Sequence, residues 1–290
     1  MSGSRGEKIS LALLAVSAAD VPLAAGLARE LDLPIVPVDT DPAACEAYDV
    51  LLVVAGGVVA LQQTPRLGRS AAARKKPGRR PTAGVLPGPV AVDFGSEAMR
   101  HRRRSGHNEL LGRAVGVQGR RQPRVLDATA GLGRDSFVLA DMGCAVTLCE
   151  RNPVIAAMLA RALQATLSGG DDWSGAVVRR MSLVAGDARG LSPHQLAAID
   201  VIYLDPMFPR RDKSAAVKKE MALFQALLAG AGSEQVADEL LPWALAQDVA
   251  RVVIKRPSRA PFLGGRPPSH SVAGKAVRFD VHVRRPLPPA

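Results

Sequence analysis

The chain has 290 residues, 47% of them hydrophobic and only 3% aromatic, which is enough apolar material for one sizeable core plus a small additional domain and too much for a disordered chain. Its 38 Lys and Arg against 27 Asp and Glu leave a formal charge of +11, and the cations are clustered, a pattern that favours a polyanionic partner. Cys45, Cys144 and Cys149 are odd in number and form no C-x-x-C pair, so no disulfide framework, zinc site or other metal centre is signalled, and a reducing cytoplasm is expected.

In chain order, Ile9 to Val16 reads as a first strand and Pro22 to Leu31 as a helix. The competing reading of Arg5 and Lys8 before an apolar run is a signal peptide. Two β-rich runs follow, Ile35 to Val38 and Val50 to Leu61, the second broken by Gly56-Gly57 in the manner of a hairpin turn. The longest uncharged apolar stretches, Ile9 to Ala19 and Val50 to Leu61, fall short of the roughly 20 residues that cross a bilayer. Residues 1–90 are expected to form a small N-terminal α/β domain, with a basic loop over 62–89 that holds Arg66, Arg69, Arg74, Lys75, Lys76, Arg79 and Arg80.

A second domain is expected over 91–290. A short strand at Val90 to Phe94 leads to a helix from Ser96 to Arg104, whose Arg100, Arg102, Arg103 and Arg104 suit phosphate contact. From Arg124 strands and helices alternate: Val125 to Ala128, Ser136 to Met142, Ala145 to Glu150, Pro153 to Leu167, Met181 to Ala185, Val201 to Leu204, then a helix from Ser214 to about Gly230. After another helix come strands Val252 to Lys255 and Ala276 to Val283, which could pair as an antiparallel edge. Such alternation predicts a doubly wound, mostly parallel sheet covered by helices on both faces.

The segment from Val125 to Asp135 passes from strand through a glycine turn into a helix, the place where a nucleotide-like ligand binds in such a sheet. Asp127, Gly131 and Gly133 are expected cofactor contacts, the glycines allowing close backbone approach. Glu150 ends the next strand, 23 residues after Asp127 (150 − 127), where a carboxylate can accept both hydroxyl hydrogens of a ribose. The dinucleotide fingerprint wants a third glycine where Ser136 stands. Asp135 at the helix start would repel a pyrophosphate and suit a cationic amino-acid end. S-adenosylmethionine has that end. Gly186-Asp187, after the strand ending at Ala185, places an acid where it could accept from an adenine amine, or simply make a turn.

Ile202 to Pro209 resembles the Asp-Pro-Pro-Tyr type of motif with which amino-methylating enzymes end their fourth strand. An exocyclic base amine is a poor nucleophile because its lone pair is delocalised into the ring. Hydrogen bonds from its N–H groups to the Asp205 carboxylate and the Pro206 carbonyl would aim that lone pair, Phe208 would stack on the base, and Pro206 and Pro209 would stiffen the loop. Arg210, Arg211, Lys213, Lys218 and Lys219 follow directly, and Lys255, Arg256 and Arg259 at the same rim could extend a phosphate-binding patch.

On VDFGSEAMRHRRR, DATAGLGRDSFVLADMGCAV with CERNPV, YLDPMFPRRDKSAAVKKEM, and VVIKRPSRAP with GKAVRFDVHV, the chain resembles the ribosomal RNA small subunit methyltransferase J family. The resemblance covers most of the chain from about Val92 onward; the first ninety residues match poorly and the basic stretch 66–81 looks like an insertion. It implies a class I, Rossmann-like fold and methyl transfer from S-adenosylmethionine to the N2 amine of one guanine of 16S ribosomal RNA, free or in the small subunit. It also implies cofactor contacts at Arg134, Asp135, Glu150, Arg151, Gly186-Asp187 and Asp205. Competing readings are an amino-methyltransferase acting on DNA or protein glutamine, an RNA-binding module with a vestigial nucleotide fold, and a dehydrogenase.

Overall fold

The apolar pentad Leu11–Ala15 (β1) pairs in parallel with Val50–Ala55 (β2), and a parallel pair needs a crossover, supplied here by the helix Val21–Leu31 (α1). These elements come from a computed structural model that describes residues 9–67, 86–103, 107–206, 223, 227 and 233–289. Gly56 and Gly57 both take positive φ, as a tight hairpin turn requires, and Val58–Gln63 (β3) returns antiparallel to β2. Val90–Ala91 (β4) completes a four-stranded sheet in the order β1-β2-β3-β4. The expected strand at Ile35 to Val38 is reduced to a single bridge from Ile35 to Leu13. Pro34 and Pro37 remove the backbone donors that a longer ladder would use.

The described residues fall into two units, the first holding those up to Val92 with Leu223 and Leu227, the second those from Asp93 to Pro206 and from Ser233 onward. In the second, Asp93 accepts the Gly95 N–H at 2.9 Å in a turn, so the strand expected to reach Phe94 stops at Ala91 and the helix Glu97–Arg103 (α2) follows. His107–Val115 (α3) follows. A seven-stranded sheet is then built from Val125–Asp127 (β5), Val146–Glu150 (β6), Met181–Ala185 (β7), Val201–Leu204 (β8), Arg251–Pro257 (β9), His270–Ala273 (β10) and Val277–Val283 (β11). Its order is β10-β11-β9-β8-β5-β6-β7. Strands β9, β8, β5, β6 and β7 are parallel, while β11 runs antiparallel to β9 and β10 antiparallel to β11. The fold is therefore the doubly wound, class I type. After β5 the chain adds strands on one side, and with β8 it starts adding them on the other, so the switch point of the topology lies between β5 and β8.

The helices follow local signals. Arg134–Asp141 (α4) links β5 to β6. In Pro153–Gly169 (α5), Pro153 takes the first turn and the Asn152 side chain accepts from Val154 N–H at 3.0 Å and Ile155 N–H at 3.2 Å. Asp171 caps Asp172–Val178 (α6), and Ser192 with Gln195 closes a capping box on Pro193–Ala197 (α7). Ser233–Ala246 (α8) precedes β9, and its Leu241, Ala244 and Leu245 pack on Leu126, Ile202, Leu204, Val252 and Ile254 of the sheet. The expected helix from Ser214 to about Gly230 lies, save for Leu223 and Leu227, outside the described residues. Among the described residues no helix is long and apolar enough to cross a membrane.

The scarce aromatics are concentrated behind the glycine turn. Phe137 of α4 stacks on Phe94 with ring centroids 5.0 Å apart, and meets the Trp173 edge at 5.4 Å. The Arg100 and Arg103 guanidinium groups lie over that same indole. Because little else in this Ala-, Val- and Leu-built core can fill a lost ring, Phe137→Ala should cost about 3–5 kcal/mol, read as a lowered midpoint in urea unfolding at unchanged slope.

Candidate active site

Strand β5 ends in Asp127, and the turn that follows is held to both neighbouring strands: Ala128 N–H reaches the Tyr203 carbonyl of β8 and Ala130 N–H the Cys149 carbonyl of β6, each at 3.0 Å. Gly133 starts α4 with φ 69°, and a Cβ there would come within 2.9 Å of Leu159 and 3.3 Å of Phe94. Only glycine allows the turn to pack this closely. Asp127 is buried and spends its oxygens inside the turn, accepting from Ser136 Oγ at 2.5 Å and Thr129 N–H at 3.1 Å. Burial pushes its carboxyl up to about 7, against the pull of those hydrogen bonds. Asp127, expected among the cofactor contacts, is thus placed as the clasp of the turn.

Glu150 at the end of β6 accepts from Gly131 N–H at 2.9 Å and from Asn152 N–H at 2.7 Å. Burial raises its pKa, and these two donors oppose the rise. Next to it, Gly186 N–H bonds the Glu150 carbonyl at 2.8 Å, which sets the end of β7 beside the end of β6. Asp187 then caps a short turn and is gripped by Arg189, from Nε at 3.0 Å and Nη2 at 2.7 Å, so its pKa is lowered. Arg189 also reaches Glu239 at 2.6 Å. Arg134 is exposed and Arg151 half-buried at the mouths of the same turns. Cys149, just before Glu150, is buried, and burial with the nearby acids Asp127, Asp187 and Glu150 pushes its thiol up to about 12.

Across the switch point, Asp205 and Pro206 follow β8. Asp205 N–H donates to Thr129 Oγ at 2.7 Å, so the glycine turn and the Asp205 loop open side by side on one rim of the sheet. Asp205 Oδ2 meets Lys255 Nζ at 2.7 Å, and the same ammonium meets Asp135 Oδ2 at 2.6 Å. Asp135 is buried and also receives the Tyr203 hydroxyl at 2.6 Å and the Arg102 guanidinium. Burial works to raise its pKa, but Lys255, Arg102 and Tyr203 outweigh it and hold the carboxyl well below the usual range.

The structure sorts the expected residues accordingly. Gly131, Gly133, Asp135, Glu150, the Gly186-Asp187 pair, Asp205 and Pro206 gather along the carboxyl ends of β5, β6, β7 and β8. Lys255 and Arg256 are not the outward phosphate contacts expected of them. The Lys255 side chain is only 16% exposed and committed to two carboxylates, and Arg256 is buried with its guanidinium on the Pro261 carbonyl at 2.7 Å. Arg102 leans inward onto Asp135, and the exposed Arg103 pairs with Asp141 at 3.0 Å. Phe208, Arg104, Arg210, Arg211, Lys213, Lys218 and Lys219 lie outside the described residues. Sequence reasoning missed Tyr203 and Thr129. The signal for Tyr203 was a hydroxyl in an otherwise apolar strand, since a buried phenol needs a partner.

The arrangement fits S-adenosylmethionine better than a dinucleotide. Gly131 takes φ 54° with nothing within 4 Å of where a Cβ would stand, leaving open space in front of the turn. The groups around that turn are the carboxylates of Glu150, Asp187 and Asp205, which suit ribose hydroxyls, an amine and a cationic chain rather than a pyrophosphate.

Comparison with known proteins agrees. The family described as "Putative SAM-dependent methyltransferase" matches residues 81–284. The ribosomal RNA small subunit methyltransferase J of Thioalkalivibrio sulfidiphilus is 52% identical over 206 residues, covering 70% of this chain and 79% of that protein. The chain belongs to the ribosomal RNA small subunit methyltransferase J family. Its member from Cellvibrio japonicus is 43% identical over 276 residues, covering 92% of this chain and 95% of that protein, so the likeness extends into the N-terminal unit that the sequence motifs left unmatched. The crystal structure of a SAM-dependent methyltransferase from Neisseria gonorrhoeae superimposes with a TM-score of 0.65 at 30% identity, covering 93% of this chain and 95% of that one.

Asp127 gives a test of the buried turn. An ordinary Asp titrates near about 3.9, and in the fold the value rises to about 7, so the stability tied to its proton is fully present below the unfolded value and is lost as pH climbs through the folded one. Asp127→Asn removes that dependence. Between about pH 5 and about pH 8 the melting temperature of the variant relative to wild type should move upward; a difference that stays constant across the window would contradict the buried, protonatable clasp.

Proposed function

We propose that the chain transfers a methyl group from S-adenosylmethionine to the exocyclic N2 amine of a guanine in 16S ribosomal RNA. The observation that carries this reading is the 2.7 Å bond from Asp205 N–H to Thr129 Oγ, which keeps the turn for the methyl donor and the loop for the amine adjacent at the switch point. Within it, Glu150 would take the ribose hydroxyls, Asp187 the adenine amine, and the Gly131 to Gly133 backbone would lie against the amino-acid end, with Arg134 and Arg151 at the rim. Bound there, the cofactor supplies an electrophilic methyl on a sulfonium.

The chain's own task is alignment. The Asp205 carboxylate and the Pro206 carbonyl accept the N–H groups of the amine and so direct its lone pair, and Phe208 stacks on the base. As the methyl moves, positive charge leaves the sulfonium and passes to the amine nitrogen, which then sheds one proton to Asp205 or water; a weak acceptor suffices for so acidic a proton, so fixed geometry and exclusion of water matter more than a strong base. The names of the relatives support RNA, in free or subunit-assembled form, over DNA, and the net charge of +11 with the basic residues after Pro209 speaks against a protein glutamine. A ribosomal substrate in turn supports a cytoplasmic location.

Methyl incorporation into deproteinised 16S RNA, assembled small subunits, DNA and protein distinguishes these substrates, and label on DNA or protein alone would replace the RNA reading. In the active assay Asp205→Ala should lower kcat by about 10²-fold or more with cofactor binding largely kept. Glu150→Ala should instead weaken cofactor binding by about tenfold or more, through loss of charge-assisted hydrogen bonds. Near-normal turnover by Asp205→Ala would remove the amine-orienting role.

A further inference from the structure

We infer that Lys255 is a positioning residue for methyl transfer: its ammonium pins one oxygen of Asp205, turns the other toward the amine, and joins the substrate loop to the cofactor turn through Asp135. The inference rests on the role given to Asp205 above.

The placement follows from strand register. Leu204 of β8 pairs with Ile254 of β9, so the residues that follow them, Asp205 and Lys255, stand side by side at the same rim. Lys255 continues in the ladder with Phe279 of β11, which fixes its backbone where Asp205 has already entered a loop. Its Nζ lies 2.7 Å from Asp205 Oδ2 and 2.6 Å from Asp135 Oδ2. Burial works to discharge the ammonium, but the two carboxylates outweigh it and the lysine stays charged.

Charge balance alone does not account for this lysine. Asp135 has the Arg102 guanidinium and the Tyr203 hydroxyl as well, whereas among the described residues Lys255 is the cation recorded on Asp205. Asp205 is also the more open of the two, its side chain 36% exposed against 9% for Asp135. A half-exposed carboxylate free to rotate would present either oxygen over a range of directions. With Oδ2 held by a buried ammonium, Oδ1 is left at a set bearing for a substrate N–H, which is the directional control that a delocalised amine requires. Asp135 is the second residue of α4, two after Gly133, so one ion spans the groups that flank both reactants. An outward phosphate contact by Lys255 is incompatible with its 16% exposure.

The test compares wild type with Lys255→Met and Lys255→Ala on the RNA substrate, reading kcat and KM separately, S-adenosylhomocysteine affinity by calorimetry, and RNA affinity without cofactor. We expect kcat to fall by about 10²-fold, with KM for RNA and both affinities within about threefold. Ethylammonium added to Lys255→Ala should restore part of kcat, while tetramethylammonium, which has charge but no N–H, should not. A kcat near wild type overturns the inference, as does a rise in RNA KM at unchanged kcat, the mark of a phosphate contact, or cofactor affinity falling in step with rate. Should Lys255→Met fold poorly because two acids are left facing each other, Lys255→Met with Asp135→Asn removes one of them. That double variant should melt normally yet stay slower than Asp135→Asn alone, and equal rates overturn the inference. Wild-type protein without methyl transfer to any RNA would defeat the function reading and this inference together, whereas a fully active Lys255→Met would defeat this one only.

Discussion

Parallel pairing forces the carboxyl ends of neighbouring strands onto one rim, and the pairing of β5 with β8 is the constraint on which the site depends. Connections leave these two strands in opposite directions, so no crossover covers the gap between their ends. The polar groups that close the gap are short and internal: a threonine hydroxyl, an aspartate N–H and a shared lysine. Apart from the part-exposed Asp205 carboxylate, these groups are largely sheltered, which lets two loops be held in register while their outer faces remain open to ligands.

The same rim concentrates negative charge. Asp127, Glu150, Asp187, Asp135 and Asp205 end or follow successive strands of a strongly basic chain. Each is handled differently. Asp127 is buried with a raised pKa, Glu150 is held by two backbone donors, Asp187 is wrapped by an arginine, and Asp135 carries two cations and a phenol. Environment rather than residue type therefore separates the acids that clasp the backbone from those left to meet a substrate.

Much of this was legible in the sequence because it was local. The β7 and β8 strands, Met181–Ala185 and Val201–Leu204, stand where the apolar runs placed them, and the Gly56-Gly57 hairpin and the antiparallel β11 follow from turn chemistry and alternation. Short helices were missed although their caps were written in the chain, as with Ser192, Pro193 and Gln195, because five residues give no helical periodicity to read. The site was half legible. The glycine turn, Glu150 and Asp205 are consecutive motifs, but Lys255 acts on partners 50 and 120 residues away. A lysine followed by an arginine reads as surface charge until the sheet register buries it.

Cys149 lies one residue before Glu150, near the end of β6. A thiolate at that place would be a strong nucleophile. Burial and the acids around it push the Cys149 thiol far above neutral pH, so it keeps its proton. The packing that builds the core, with Cys149 set among Leu126, Ala128 and Ile202, thereby leaves a neutral thiol beside the acids of the rim.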